Sequence, residues 1–414
     1  MNRNEPIKPK MLLCTHEFPF GNSETSFIAP EFVILQKHFK IDIILTFESK
    51  NKQTTVLEGT QVYQVQEKFA QKLPYKLHIK FWLVIFPTWL VTLLCYSIKH
   101  KLGVSAIKNQ ISQFKKYEHL TATLLQHVKK NKPEIIYSYW FDHWNVAASI
   151  LKKLGYYKGC IISRAHRYEL VEETNKLGVF PFHRLQFAYT DLVFFISDKL
   201  MQTYQKKYPK SIRNLKLARL GVNFSNNTPH IPQPNSHHLI SIGDIKPIKN
   251  LTIIAHALNK IKLPIVWHHF GASKTNDTLQ KQIKNASISY INYGNITPQE
   301  LYSIITSQYF HFLINTSKSE GIPVSMMESI ACGIPIIATN VGGVSEIVNE
   351  DTGILLSKNI DAEALSNVIS TYLTNYPFNK EKRGQITDFY KKNYHATTNY
   401  TDFCTQILNY IKNN

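Results

Sequence analysis

Three ligand-binding signatures are missing from this 414-residue chain. There is no Asp-x-Asp, which argues against a design in which two aspartates hold a divalent ion on a diphosphate. Neither a Gly-x-Gly-x-x-Gly nor a Walker lysine loop occurs, so dinucleotide redox chemistry and P-loop phosphoryl transfer are not expected. Cysteine is scarce: Cys14, Cys95, Cys160, Cys332 and Cys404 are odd in number, scattered and without metal-ligand spacing. That usage predicts a reducing cytoplasm and no zinc site. Residues 1–10 lack the apolar core of a signal peptide, so export is not expected. No internal repeat or low-complexity tract is present.

Acidic residues are also few, 29 against 48 Lys and Arg, for a net charge of +19. Such an excess suggests a polyanionic neighbour, and nucleic acid is the first to weigh. The basic residues are spread along the chain, however, with no helix-turn-helix, zinc-finger or RNA-binding signature. An anionic membrane face fits better, each nearby Lys or Arg being worth about 1 kcal/mol there. The uncharged stretch 81–98, FWLVIFPTWLVTLLCYSI, lies between Lys80 and Lys99, His100 and Lys101. It approaches the ~20 residues needed to span a bilayer. Yet strands expected at 11–15 and 41–46 precede it and one at 135–139 follows. If these share a sheet, a single span would divide that sheet across the membrane, and Pro87, Thr88 and Thr92 also make a poor span. A helical insertion dipping into the membrane interface is the expectation; a plain buried helix is the other reading.

Hydrophobic content of 43% and charged content of 19% describe a globular chain, and its length predicts about two or three domains. In the first half, strand 11–15 leads through a loop to a helix at 25–38, with further strands at 41–46, 135–139, 159–164 and 192–196. The polar, proline-bearing 223–237 reads as a linker. Strands at 239–242, 265–270 and 288–293 begin the second half, and apolar residues in 400–411 suggest a closing helix.

The densest chemistry lies in Ser319-Glu320-Gly321-Ile322-Pro323-Val324-Ser325-Met326-Met327-Glu328, followed by Cys332-Gly333-Ile334-Pro335 and Val341-Gly342-Gly343. Apolar runs at 311–315 and 334–338 flank a helix from about 323 to 331, a βαβ unit whose loops emerge at the carboxyl ends of parallel strands. Pro323 suits the first helical position. The amides of Val324 and Ser325 at the positive helix end favour a bound anion such as a phosphate. Glu328 falls roughly 40° around the helix from Val324, beside the apolar stripe of Val324, Met327 and Ala331. A carboxylate there needs a partner. Taken singly, each glutamate is equally compatible with an ordinary solvated residue.

Glu, seven residues, Glu, with Gly-x-Pro after the first glutamate and Gly-x-Pro-x-x-Ala-Thr and Gly-Gly downstream, resembles the donor-site signature of glycosyltransferase family 4. The likeness is strong from about 238 to 356 and weaker in the first half. It implies an α/β GT-B fold: two Rossmann-like domains facing across a cleft, here 1–225 and 236–390, with 391–414 a closing helix packing toward the N-terminal domain. The implied activity is a retaining transfer of a sugar from a nucleotide diphosphate sugar, UDP- or GDP-linked, to a glycan acceptor. The acceptor is expected to be lipid-linked, in capsule, exopolysaccharide or O-antigen synthesis. No metal or other cofactor is expected, nor nucleic acid. The chain would be cytoplasmic and peripheral on the inner face of the membrane.

Residue by residue, the resemblance gives Glu328 the ribose hydroxyls and Glu320 the donor sugar and the cationic anomeric carbon. Gly321, Pro323, Val324 and Ser325 line the sugar and phosphates. Gly342 and Gly343 would keep the opposite loop small enough for the nucleotide to enter. The segment from Gly243 to Asn250 looks like the family's phosphate loop, in which Lys249 matches the family lysine. Asp244 stands where many members have arginine, so either Lys246 substitutes or the helix amides after Pro323 carry more of the load. His166 matches the active-site histidine and Gly21 the glycine loop near the donor phosphates. Arg164, Trp140 and His143 are acceptor-side candidates, although core packing explains such aromatics equally well. Two other readings stay open: a nucleotide-sugar 2-epimerase of the same fold, and a catalytically silent glycan-binding subunit.

Overall fold

Short apolar runs bounded by turn residues become strands in this chain, and the longer segments between them return as helices, the connection that parallel pairing requires. The computed structural model describes residues 8–20, 24–46, 59–65, 72–99, 104–171, 180–209, 215–224, 235–271, 278–375 and 380–414. The chain divides into two compact units, Met1–Ala218 with Tyr400–Asn414, and Arg219–Asn399.

The first unit runs β1 (Lys10–Thr15), α1 (Thr25–His38), β2 (Lys40–Leu45), β3 (Val62–Gln64), α2 (Tyr75–Lys99), α3 (Val104–Asn131), β4 (Ile135–Ser138), α4 (His143–Lys153), β5 (Cys160–Ala165), α5 (Arg167–Leu170), α6 (His183–Tyr189), β6 (Leu192–Phe195), α7 (Asp198–Lys207) and β7 (Leu215–Leu217). Its seven strands lie in the order β3-β2-β1-β4-β5-β6-β7, all parallel. The second unit runs β8 (His237–Ile242), α8 (Thr252–Leu258), β9 (Ile265–Phe270), β10 (Ile288–Gly294), α9 (Pro298–Ser307), β11 (Phe312–Asn315), α10 (Val324–Ala331), β12 (Ile336–Thr339), β13 (Gly353–Leu356), α11 (Ala362–Asn375) and α12 (Lys380–Asn393). Its six parallel strands lie in the order β10-β9-β8-β11-β12-β13. Each order reverses direction beside the unit's first strand, which makes the switch point where open α/β sheets bind ligands. The last helix is α13 (Ala396–Asn413), and from Tyr400 onward it belongs to the first unit. There Phe403 packs on Tyr137 and Phe194, with ring centroids 5.6 and 4.6 Å away.

The uncharged stretch 81–98 falls within α2. Leu77, Phe81 and Ile85 enter the core of the first unit. On the other side Ile79, Leu83, Phe86 and Leu90, spaced four, three and four residues apart, are exposed, Leu83 by 70%. This helix therefore has two apolar faces and only one is covered by the described residues of its own unit. No helix among the described residues is long and apolar enough to cross a membrane. The side chains of Trp89 and of residues 92–99 lie outside the described residues.

Candidate functional site

Three loops meet at the carboxyl ends of β8, β11 and β12 in the second unit. The first leaves β8 at Gly243, whose φ of 145° and whose amide bond to the Phe270 carbonyl (2.8 Å) turn the chain sharply. Thr316 Oγ1 donates to the carbonyl of Asn250 (3.0 Å) and Lys318 N to that of Ile248 (2.8 Å), tying the second loop to the first. Thr339 Oγ1 donates to the Ser317 carbonyl (2.6 Å) and ties in the third.

Within this frame Lys249 Nζ lies 2.7 Å from Glu320 Oε1. The same oxygen accepts from Ser317 Oγ (2.6 Å) and, at 3.4 Å, from Asn315 Nδ2. Ser317 and Asn315 were not picked out in the sequence, although a polar Asn-Thr-Ser run at a strand end is the available signal. Pro323 is the cap residue before α10 and not its first helical residue, with φ −72° and ψ 123°. The Met326 amide bonds the Pro323 carbonyl (3.2 Å), so the amides at the helix start without intrahelical acceptors are those of Val324 and Ser325. Glu328, on the second turn, has no hydrogen-bond or ion-pair partner among the described residues, and burial pushes its carboxyl up to about 7.

Lys246 pairs with Asp244, and both side chains are half exposed or more. The lysine that was to replace the missing arginine is thus neutralised by the residue that displaced it. Gly342 and Gly343 lie against the loop that carries Glu320. Gly342 has φ +57°, and a Cβ there would sit 1.9 Å from the Glu320 carbonyl oxygen; one on Gly343 would sit 2.7 Å from Ile322 Cγ1. Gly343 N also donates to the Gly321 carbonyl (2.9 Å). The two glycines let the third loop lie directly on the Glu320–Ile322 backbone.

The remaining candidates lie in the first unit. His166 follows β5 and is 7% exposed; both ring nitrogens are buried without a hydrogen-bond partner among the described residues, with Nδ1 3.4 Å from Glu169 Oε2. Burial, with the Arg164 guanidinium, pulls its pKa down to about 3, so the ring is neutral at physiological pH. Trp140 stands 4.3 Å from it and 5.3 Å from Tyr168, ring to ring, and Tyr168 is exposed. Trp140 is held by Glu24, a residue that carried no role in the sequence reading. The Glu24 carboxylate accepts the indole N–H and the backbone amides of His16, Glu17 (2.6 Å) and Phe18 (2.7 Å). Glu169, equally unassigned, accepts from the amides of Phe141 (2.6 Å) and His166 (2.5 Å). His143 stacks on Tyr117 at 5.2 Å. Gly21 lies outside the described residues.

Arg164 is a correction. Its side chain is fully buried, pairs with buried Glu31 (2.8 Å), donates to the Ala218 carbonyl (2.6 Å) and lies 4.3 Å over the Phe403 ring. It cannot meet an acceptor; it holds α1, β5 and α13 together.

Comparison with known proteins bears on the same residues. The putative colanic acid biosynthesis glycosyltransferase WcaL of Escherichia coli strain K12 is 24% identical over 245 residues, which cover 56% of this chain and 60% of that protein. The chain thus spans about three fifths of that relative's length. Sucrose-phosphate synthase from Thermosynechococcus elongatus superposes with a TM-score of 0.71 at 12% identity, over 98% of this chain and all of that one. Anabaena Alr3699/HepE in complex with UDP-glucose superposes at 0.63 with 14% identity, over 96% and 99%. At such identities the likeness shows the fold, which is the two-unit GT-B fold that the motif implied. Residues 227–391, which include every described loop residue from Gly243 to Gly343, match the family model of glycosyl transferases group 1.

Proposed function

We propose that the chain is a retaining glycosyltransferase that moves a sugar from a nucleotide diphosphate sugar to a glycan hydroxyl. The observation that carries this is the unequal satisfaction of two carboxylates, one on the loop before α10 and one on that helix: Glu320 is held by Lys249 and Ser317, while Glu328 has no partner among the described residues. Glu328 takes the ribose hydroxyls. Lys249 turns from Glu320 to the diphosphate, helped by the amides at the start of α10, and offsets the charge that develops as the phosphate departs. Glu320, so released, faces the sugar and stabilises the cationic anomeric carbon. The acceptor oxygen attacks on the face that the phosphate leaves: the bond from C1 to the phosphate oxygen breaks, the bond from C1 to the acceptor forms, and the acceptor proton passes to the departing phosphate. The protein acts by positioning and charge stabilisation. Without an Asp-x-Asp, the donor diphosphate is neutralised by protein groups and not through a metal ion.

On the first unit, the aromatic rim of Trp140 and Tyr168 suits a glycan acceptor, since aromatic faces pack against sugar rings, and the buried neutral His166 ring backs Trp140 from behind. A lipid-linked acceptor accords with the exposed apolar side chains of Leu83, Leu90 and Val91 on α2, with Lys76 and Lys80 at its near end, and with the net charge of +19. The chain is then a peripheral protein on the inner face of the cytoplasmic membrane, serving a surface polysaccharide.

A thermal-shift screen of UDP, GDP, ADP, CMP and their sugar conjugates tests the donor site. One nucleotide sugar should raise the midpoint in wild type and fail to do so in Glu328→Ala. With that donor, Glu320→Ala should abolish transfer in a folded protein and Lys249→Ala should lose chiefly donor affinity or turnover; near-normal rates in both would remove the assignment. Donor consumed to its 2-epimer without acceptor would establish the isomerase instead. For the membrane, Leu83→Ser with Leu90→Ser should lower partition onto anionic vesicles roughly thirtyfold to 150-fold, from about 1 to 1.5 kcal/mol per exposed apolar side chain. Unchanged binding would exclude α2 as the contact.

A further inference from the structure

We infer that His16, Asp142 and His143 form a binding site for one divalent first-row transition-metal ion on the rim of the first unit. The inference goes beyond the donor reading and does not depend on it. Strands β1 and β4 are neighbours in the sheet, so the loops leaving their carboxyl ends emerge side by side. His16 is the first residue after β1, Asp142 is the cap residue of α4, and His143 is the first residue of that helix. One ligand atom from each of the three residues lies within 4.8 Å of the other two. His16 Nε2 is 2.5 Å from Asp142 Oδ2, and His143 Nδ1 is 3.5 Å from the same oxygen. Tetrahedral bonds of ~2.1 Å place ligand atoms about 3.4 Å apart, so small side-chain rotations suffice.

The surroundings favour this use. The two oxygens of Asp142 are divided between tasks: Oδ1 accepts from Trp144 N (3.4 Å) to cap α4, while Oδ2 faces both imidazoles. The His143 ring is stacked on Tyr117, and the His16 ring lies 6.0 Å from Trp140. Glu24 fixes the backbone at His16 through three amides. The ligands are therefore carried on braced elements, which limits the ordering that binding would cost. About a quarter of each histidine side chain is open to solvent, which gives an entry path. The positive end of α4 opposes a cation, but weakly beside the bonds that two imidazoles and a carboxylate make to a transition ion. Two nitrogens and one oxygen select zinc or cobalt over magnesium or calcium. Three protein ligands also leave a coordination position open, which a hydroxyl or phosphate oxygen can fill.

Full-length protein stripped with chelator and moved to metal-free buffer would be titrated with Zn²⁺ against a chromophoric chelator, and with Co²⁺ for its visible d–d absorption. One equivalent should bind saturably in both. His16→Ala and His143→Ala should each weaken binding at least tenfold. Asp142→Asn, which keeps an oxygen to cap the helix, should do the same with an unchanged circular dichroism spectrum. His237→Asn, in the separate histidine group of the second unit, should bind as wild type. Absence of saturable binding, or equal binding in the three site variants, would overturn the inference. Either result leaves nucleotide-sugar binding by the second unit to stand or fall on its own measurement.

Discussion

Donor affinity should depend on pH through Glu328. Its carboxyl sits on the second turn of α10 with no cation or hydrogen-bond donor among the described residues, and burial alone raises it to about 7. The ionised form offers both oxygens as charged acceptors to the ribose hydroxyls, whereas protonation turns one of them into a donor and removes the charge. With a pKa of about 7, roughly a tenth of the protein carries that charge at pH 6 and roughly nine tenths at pH 8, so the apparent dissociation constant should fall about tenfold across that interval. A nucleotide sugar is the right probe, because its diphosphate has no ionisation in that range, unlike that of a free nucleoside diphosphate. Isothermal titration at half-unit steps would read the slope. Glu328→Gln should flatten the profile and weaken binding by about 1.5–3 kcal/mol at pH 8, the worth of hydrogen bonds to a charged group. The same substitution should stabilise the unliganded protein at pH 8. A carboxyl whose native pKa lies above its unfolded value contributes stability at low pH and loses it as pH rises through about 7. Partial exposure reduces the full shift to about 1–3 kcal/mol. A flat wild-type profile, or the same slope in Glu328→Gln, would refute the reasoning.

Gly342→Ala should cost about 2–4 kcal/mol in denaturant unfolding, because φ is +57° and the new Cβ would meet the Glu320 carbonyl oxygen at 1.9 Å. Turnover should fall even where the protein is fully folded, since the Glu320 backbone must move. Gly155→Ala, at φ +76° with open space around it, should cost only about 1–2 kcal/mol; equal losses would mean that the contact with Glu320 is immaterial. Acid should weaken the second unit through a group of histidines. His268 is held down to about 4 and His311 to about 3, both by burial first and then by neighbouring histidines. Neutral rings are native, so their stability is intact above about 6.5 and is lost as pH falls, by up to about 1.4 kcal/mol each at pH 5.5. Unfolding at pH 7.5 and 5.5 in a Glu328→Gln background, which removes the opposing carboxyl, should show this loss. A midpoint that does not fall would show that these rings titrate normally.

Much of the fold was legible because its core strands are apolar runs whose length excludes helices. The runs at 265–270 and 288–293 became β9 and β10 almost residue for residue. The strands at β3 and β7 were not read, since Val62–Gln64 and Leu215–Leu217 are three-residue edge strands and too short for alternation to register. Arg164 shows a second limit. A charged residue near a strand's end can point to the rim or into the core, and the partner that decides it, Glu31, lies 133 residues away. Gly342 and Gly343 show a third: the pattern was visible, but the reason for it, contact with the Glu320 backbone, exists only once three loops meet. In α2 the uncharged run was plain, while which of its two apolar faces the core would take depended on packing.

The carboxylates divide the molecule into scaffold and site by how completely their oxygens are used. Glu31 is consumed by Arg164 and the Tyr137 hydroxyl (2.6 Å), Glu24 by three amides and an indole, and Glu169 by two amides. Buried acceptors matched in this way stabilise a loop or a junction. Glu320 differs: Lys249, Ser317 and Asn315 all converge on Oε1, and its other oxygen has no partner among the described residues. Glu328 has neither oxygen matched among the described residues and is only partly buried, so both carboxylates keep acceptor capacity for an incoming group. Asp142 stands between the two classes, with one oxygen capping a helix and the other shared by two imidazoles. That partial use makes it, among these residues of the first unit, the carboxylate best placed to take up an ion.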